Sequence, residues 1–218
     1  LEPYATFNLA AHVGDNPSSV SANRARLRDN LQLPSEPVWL RQVHGVKVID
    51  ASQAGVDPEA DGAYTMRSGN VCAVLTADCL PVLLCDRSGT RVAALHAGWR
   101  GLVNGVIEAG VKALGLDGHE LMAWLGPAIG PEAFEVGAEV RQAFASQDPQ
   151  AETAFQPLTG GKYLANIYQL ARQRLTAIGI HQIFGGEFCT VRDNVRFYSY
   201  RRDGVTGRMA SLIWLSSH

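Results

Sequence analysis

One cysteine and two histidines stand in the least ordinary stretches of this chain: His44 in Arg-Gln-Val-His-Gly, Cys79 in Thr-Ala-Asp-Cys-Leu-Pro, and His96 in Leu-His-Ala-Gly-Trp-Arg-Gly. A thiolate and two imidazoles can hold a zinc ion while leaving its fourth position free for water, the arrangement of a catalytic rather than a structural site. The three lie too far apart in sequence to form the close ligand pairs of a zinc finger. Their positions bring them together more strongly than their spacing does. Each falls at the end of an expected strand, close to Gly or Pro, where sheet edges deliver side chains into a crevice. Taken singly, each also has a plainer reading, because free cysteine packs as a small hydrophobe and histidine is commonly a surface or hydrogen-bonded residue. That plainer reading is given to Cys72, Cys85 and Cys189, and to His12, His119, His181 and His218.

Asp78 adjoins Cys79 and has two readings. It caps a turn, or it orients an imidazole and moves a proton beside a zinc-activated water, whose pKa falls to about 7. The segment His96–Gly101 sets Gly98, Arg100 and Gly101 between an expected strand and helix. Backbone N–H groups and a guanidinium there would suit phosphate; a tight turn needing glycine, with Arg100 solvated, would look the same. Walker-type and dinucleotide glycine patterns are absent. Gly126-Pro127-Ala128-Ile129-Gly130-Pro131 reads as a stiff loop that closes a pocket wall or turns a corner. Phe197-Tyr198-Ser199-Tyr200-Arg201-Arg202-Asp203 offers aromatic faces and fixed positive charge for a base and a phosphate, or simply an alternating edge strand.

The elements that must position these groups are short. Asn16-Pro17 followed by Val20, Arg24, Leu27 and Leu31 predicts a capped helix ending before Pro34. Strands are expected at Val38–Leu40, Val46–Ile49, Val71–Thr76, Pro81–Cys85 and Arg91–His96, and the continuous apolar runs among them require cover on both faces. Val103, Val106, Ile107, Val111 and Leu114 predict one helix stopping at Gly115. A second is expected from Lys162 to Ile178, a shorter one over Gly137–Phe144, and closing strands at Ile183–Gly185, Arg196–Tyr200 and Met209–Leu215. Strands interrupted by few helices favour an α+β sandwich of mixed β-sheets over strict βαβ alternation.

The 218 residues suit one domain with a sizeable core. Nineteen Lys and Arg against 21 Asp and Glu provide no global field for nucleic acid or anionic lipid, so a small neutral or mildly anionic ligand is expected. Four cysteines without framework spacing predict free thiols and a cytoplasmic location. No apolar run approaches the roughly 20 residues of a membrane helix.

Gln-Val-His-Gly at 42–45, Ala-Asp-Gly-Ala-Tyr-Thr at 60–65, Thr-Ala-Asp-Cys-Leu-Pro-Val-Leu at 76–83 and His-Ala-Gly-Trp-Arg-Gly at 96–101 closely resemble the YfiH-like family. This group is also called laccase-domain or polyphenol oxidase proteins, and is assigned as purine nucleoside phosphorylases and peptidoglycan-editing factors. Gly-Pro-Ala-Ile-Gly-Pro and Phe-Tyr-Ser-Tyr-Arg-Arg-Asp extend the match to nearly the whole chain. The resemblance implies an α+β sandwich with zinc on His44, Cys79 and His96, copper being the alternative metal. It implies phosphorolysis of adenosine, inosine, guanosine and methylthioadenosine, with hydrolytic deamination of adenosine. Asp78, Cys79 and Arg100 are then the candidate catalytic residues, and Asn8, Gln42, Arg100, Tyr198 and Arg201 the candidate ligands of nucleoside and phosphate. No nucleic-acid or membrane partner is expected, and the assembly is a monomer or homodimer. The family's Arg-x-Gly-Gly-Ser type segment ahead of Asn8-Leu9 is not in this sequence, so an N-terminal part of the site is expected to be missing. Competing readings are a cell-wall precursor hydrolase, a metal-free hydrolase with Cys79 as nucleophile and His44 or His96 as base, and a binding protein. Six histidines are too few for a multicopper oxidase once surface positions are deducted.

Overall fold

The computed structural model describes residues 2–216, so His218 lies outside the described residues. Helix α1 (Pro17–Leu31) starts on Asn16, whose Oδ1 accepts the Ser18 N–H, as the Asn-Pro signal predicts. Strands β1 (Val48–Asp50), β2 (Gly62–Thr65), β3 (Val71–Thr76), β4 (Leu80–Asp86) and β5 (Val92–Ala97) follow, then helices α2 (Trp99–Asn104) and α3 (Val106–Leu114). Next come β6 (Leu121–Leu125), β7 (Glu135–Val136), α4 (Ala138–Ala145), β8 (Phe155–Pro157), β9 (Tyr163–Ala165) and α5 (Ile167–Ala177). The chain closes with β10 (Gln182–Gly185), α6 (Tyr200–Asp203) and β11 (Met209–Trp214).

Six strands form one mixed sheet in the order β1-β2-β5-β4-β6-β10, while β11 and β3 pair antiparallel as a second sheet and β7-β9-β8 form a small third. Alternate side chains of β5 show how these layers stack. Ala93 and Leu95 enter a core with Ile107 and Val106 of α3, whereas Ala94 enters another with Cys72 and Val74 of β3. The central sheet is therefore covered by helices on one face and by the β3–β11 sheet on the other, which is why β3 and β5 are buried along their whole lengths. The architecture is the expected α+β sandwich of mixed sheets.

Differences in detail have local causes. The single helix expected through Leu114 is two, because Gly105 sits at φ 98° between α2 and α3. The helix expected from Lys162 begins at Ile167: Asn166 caps it by accepting the Gln169 N–H, and the preceding Tyr163–Ala165 is β9. Arg196–Tyr200 is not a strand; Ser199 is buried and caps α6. Val38–Leu40 contributes only a bridge from Val38 to Cys72.

Candidate metal centre

Strand register assembles this site. Gly62 of β2 lies opposite Leu95 of β5, which places Asp61 beside His96, and the His96 N–H donates to the Asp61 carbonyl at 2.7 Å. On the other side of β5, Leu80 pairs with Ala97 and Pro81 with His96, so Cys79 enters β4 next to His96. Three adjacent strands thus bring a carboxylate, an imidazole and a thiol to one edge.

His44 comes from the loop ahead of β1 and is held there by the same carboxylate. Asp61 is fully buried. Its Oδ1 accepts from the His44 N–H (2.8 Å) and its Oδ2 from the N–H groups of Gly45 (2.6 Å) and Val43 (3.2 Å). These bonds fix His44 at φ 60°, a left-handed conformation rare for a non-glycine residue. Asp61 Oδ1 also lies 2.8 Å from His96 Nδ1. A carboxylate against Nδ1–H leaves Nε2 of His96 as the free donor, turned toward Cys79. Burial opposes ionisation of Asp61, but the His96 hydrogen bond and the Gly45 and Val43 amides outweigh it and hold the carboxyl below its usual range.

The donor atoms of His44, Cys79 and His96 all lie within 4.8 Å of one another, with Cys79 Sγ 3.7 Å from His44 Nε2. A tetrahedral zinc with bonds of about 2.0–2.3 Å needs ligand atoms roughly 3.3–3.8 Å apart, so the three fit one ion with little movement. His96 is buried, Cys79 partly so and His44 exposed, which gives the group a face open to solvent, as a catalytic position requires. Burial works against a Cys79 thiolate, yet the charges of His96 and His44 and their hydrogen bonds bring its pKa down to about 6. His96 is raised to about 9 against the effect of its burial, chiefly by the Cys79 charge and the Asp61 hydrogen bond. Burial instead pushes Cys72 up to about 12 and Cys85 upward. All four cysteines are free.

The glycines of the His-Ala-Gly-Trp-Arg-Gly motif serve packing around this group. A Cβ on Gly98 would stand 2.9 Å from His44 Cδ2 and 3.0 Å from Cys79 Sγ, and one on Gly101 2.8 Å from the Gly45 carbonyl oxygen. Close approach of α2 to the ligands therefore explains both residues. Arg100 is exposed at the start of this short helix, its guanidinium carbon 4.5 Å from the Trp99 ring centroid.

The remaining candidates are tied into the fold by hydrogen bonds. Asp78, at φ 90°, accepts from the Thr190 hydroxyl (2.6 Å) through Oδ1 and from the Arg201 N–H (2.6 Å) through Oδ2. Each oxygen accepts one hydrogen bond, so the side chain pins an unusual turn and keeps a lone pair on each oxygen. Gln42 exchanges two hydrogen bonds with the Leu75 backbone (2.8 and 2.9 Å) and fastens its loop to β3. Asn8 is fully buried and bonded to Ala10, Asp15 and the Arg208 N–H. The Tyr198 hydroxyl donates to the Tyr4 carbonyl (2.6 Å) and accepts from the Phe7 N–H (3.0 Å). Arg201 Nη1 donates to the Glu135 carbonyl (3.0 Å). The stiff Gly126–Pro131 loop is tied to the Asp78 turn by the Ile129 N–H, and to the Tyr168 hydroxyl by the Ala128 N–H. His12, His119 and His181 are exposed. Asp61 carries the largest role that reading for chemistry missed; its signal was its place in the Ala-Asp-Gly motif just ahead of a strand.

Among the described residues no helix is long and apolar enough to cross a membrane. Residues 1–216 match the family model described as multi-copper polyphenol oxidoreductase laccase. Purine nucleoside phosphorylase YfiH of Escherichia coli (strain K12) is 57% identical over 216 residues, covering 99% of this chain and 88% of that protein. Purine nucleoside phosphorylase PA4543 of Pseudomonas aeruginosa is 55% identical over 98% of this chain and 87% of its own length. The crystal structure of Neisseria meningitidis protein NMB0706 superposes with a TM-score of 0.95 at 49% identity, over 98% of this chain and 88% of that one. Bacillus licheniformis YfiH gives 0.92 at 29% identity, over 99% and 88%. Motifs, fold and these likenesses agree: the chain belongs to the YfiH-like family of laccase-domain proteins.

Proposed function

We propose that this chain is a zinc-dependent purine nucleoside phosphorylase whose metal is held by His44, Cys79 and His96. The observation that carries this reading is the convergence of three donor atoms on one solvent-facing point, and the names of the relatives supply the reaction class. A zinc ion bound there would supply Lewis-acid chemistry at a position that three protein ligands leave open. The protein's own contribution is preorganisation. Asp61 sets the His44 loop and the His96 tautomer, Cys79 presents a thiolate rather than a thiol at neutral pH, and Gly98 keeps the space between His44 and Cys79 clear. In phosphorolysis a phosphate oxygen bonds to ribose C1′ while the C1′–N9 bond breaks, and the purine leaves with that electron pair and gains a proton. Arg100, exposed beside Gly98, is a candidate phosphate ligand from this side of the site.

Deamination of adenosine, in which water replaces the amino group at C6, is the second activity we assign to the same centre. The His-x-Glu and Pro-Cys-x-x-Cys signature of other zinc deaminases is absent, so a different acid–base group is needed, and Asp78, whose oxygens accept one hydrogen bond each, is the first candidate. A metal-free hydrolase reading is favoured by one observation, the Cys79 thiol brought down to about 6 with His44 Nε2 at 3.7 Å. Alkylation of Cys79 separates the two: zinc protects it in the phosphorylase reading, and an alkylation rate indifferent to zinc supports the hydrolase. Copper suits the same ligand set, and metal analysis of the purified protein decides its identity.

The test of function is product analysis. Adenosine is incubated with phosphate and without it, and adenine, inosine and hypoxanthine are separated by chromatography, with Cys79→Ala run alongside. Phosphate-dependent adenine release that disappears in the variant is expected; no turnover by zinc-loaded protein refutes the proposal.

A further inference from the structure

Arg208 is a half-buried cation at this end of the sandwich. Met209 of β11 pairs with Thr76 of β3, so Arg208, one residue earlier, stands beside the turn that carries Ala77, Asp78 and Cys79, and the charges of Cys79 and Asp78 act on it. Its attachment is one-sided. Nη1 donates to the carbonyls of Thr206 (2.8 Å) and Gly207 (3.0 Å), and the guanidinium carbon lies 5.8 Å from the Tyr200 ring centroid. Among the described residues Nε and Nη2 have no protein acceptor, and no carboxylate lies within ion-pair distance of Arg208.

Two residues that the sequence offers as substrate ligands build the mount for this side chain. Asn8 Oδ1 accepts the Arg208 N–H at 2.9 Å. Tyr198 packs under Gly207, where a Cβ would stand 2.7 Å from Tyr198 Cζ and 2.9 Å from Asn8 Cβ. The turn that carries Arg208 is thus held by its neighbours on two sides. Half-burying a cation without an anion is unfavourable. The anions near it do not pair with it directly: Asp78 is bonded to Thr190 and Arg201 and not to Arg208, and a divalent ion on Cys79 would offset the thiolate. The unused Nε and Nη2 edge is the fork that matches two oxygens of a tetrahedral oxyanion.

We infer that Arg208 binds the phosphate co-substrate beside the His44–Cys79–His96 group. The inference rests on the phosphorylase reading and adds a second cation to the candidate Arg100.

The test titrates inorganic phosphate into zinc-loaded protein without nucleoside, by calorimetry, for wild type, Arg208→Gln, Arg208→Lys and Arg100→Gln. Zinc content and thermal unfolding of each variant are measured alongside. Saturable binding by wild type is expected, weakened about tenfold or more in Arg208→Gln. Arg208→Lys keeps the charge but loses the fork, and a smaller, measurable loss is expected; it decides the matter if the glutamine variant does not fold. In turnover, KM for phosphate rises in both variants while KM for the nucleoside holds. No saturable phosphate binding by wild type, wild-type affinity in either Arg208 variant, or a loss confined to Arg100→Gln overturns the inference. A parallel titration with AMP distinguishes free phosphate from a phosphoryl group on the substrate, and binding of AMP alone also overturns it. Because binding is read without nucleoside, an absence of turnover would refute the phosphorylase reading and leave this titration to judge Arg208.

Discussion

Replacing Asp61 by asparagine changes one atom and is the sharpest probe of how this centre is built. Each Asp61 oxygen serves two donors: Oδ1 the His44 N–H and His96 Nδ1, Oδ2 the N–H groups of Val43 and Gly45. In Asp61→Asn one oxygen becomes an NH2 group, so two donors lose their acceptor and face another donor inside a fully buried site. At about 1–3 kcal/mol for each unsatisfied buried group, the loss of stability is about 2–6 kcal/mol. Metal affinity falls as well, because both imidazoles are aimed through this carboxylate; loss of such an outer partner typically costs about 10- to 100-fold. Urea unfolding of the metal-free protein measures the first effect apart from metal linkage. Competition with a chromophoric chelator measures the second, and the visible spectrum of the cobalt-substituted protein reports whether the ligand geometry has changed. Wild-type stability together with wild-type metal affinity in Asp61→Asn would show that this carboxylate does not hold the centre together.

Gly98→Ala puts a methyl group against His44 Cδ2 and Cys79 Sγ; it is expected to cost about 1–3 kcal/mol by overpacking and to lower zinc affinity, whereas unchanged zinc affinity would show that α2 can retreat. In metal-free protein, the 240 nm absorbance and alkylation rate of Cys79 should report a thiolate that is present at pH 7 and lost as pH falls through about 6; a midpoint at the ordinary thiol value of about 8.5 contradicts the pairing with His96 and His44. Asp86 offers a pH test remote from the centre. Its burial is outweighed by hydrogen bonds from the Ser88 and Thr90 side chains and the Arg91 and Thr90 amides, which hold its carboxyl near 2. A depressed carboxyl stabilises above its ordinary value and loses that contribution as pH falls through its folded value, so Asp86→Asn should cost about 2 kcal/mol at neutral pH. The gap from wild type should narrow between pH of about 4 and about 2, and urea midpoints that keep a constant gap argue against it.

Where local signals coincide with the final contacts, this fold is legible in the sequence. Asn16-Pro17 announces α1, and the unbroken apolar runs of β3 and β4 announce strands covered on both faces. His44, Cys79 and His96 stand out because each sits among glycines and prolines, and Gly98 and Gly101 stand there because the ligands crowd them. The rest depends on register, which no local pattern contains. Asp61 looks like one more acidic residue before a strand until β2, β5 and β4 set it beside His96 and Cys79. Asn8, Gln42, Tyr198 and Asp78 have side chains that suit ligands, yet each spends its polar atoms on the backbone or on a buried neighbour. Polar residues in well-marked motifs can serve the site at one remove, and only their hydrogen-bond partners tell the difference.

In the proposed function one metal ion on His44, Cys79 and His96 sustains nucleoside phosphorolysis. Its most direct measurement titrates zinc into chelated, metal-free protein while hypoxanthine release from inosine is followed in phosphate buffer. Activity is expected to rise in proportion to added zinc and to level off at about one equivalent per chain, with no such rise in Cys79→Ala. Full phosphorolysis by the metal-free protein, or an equal response to zinc in the variant, would contradict it.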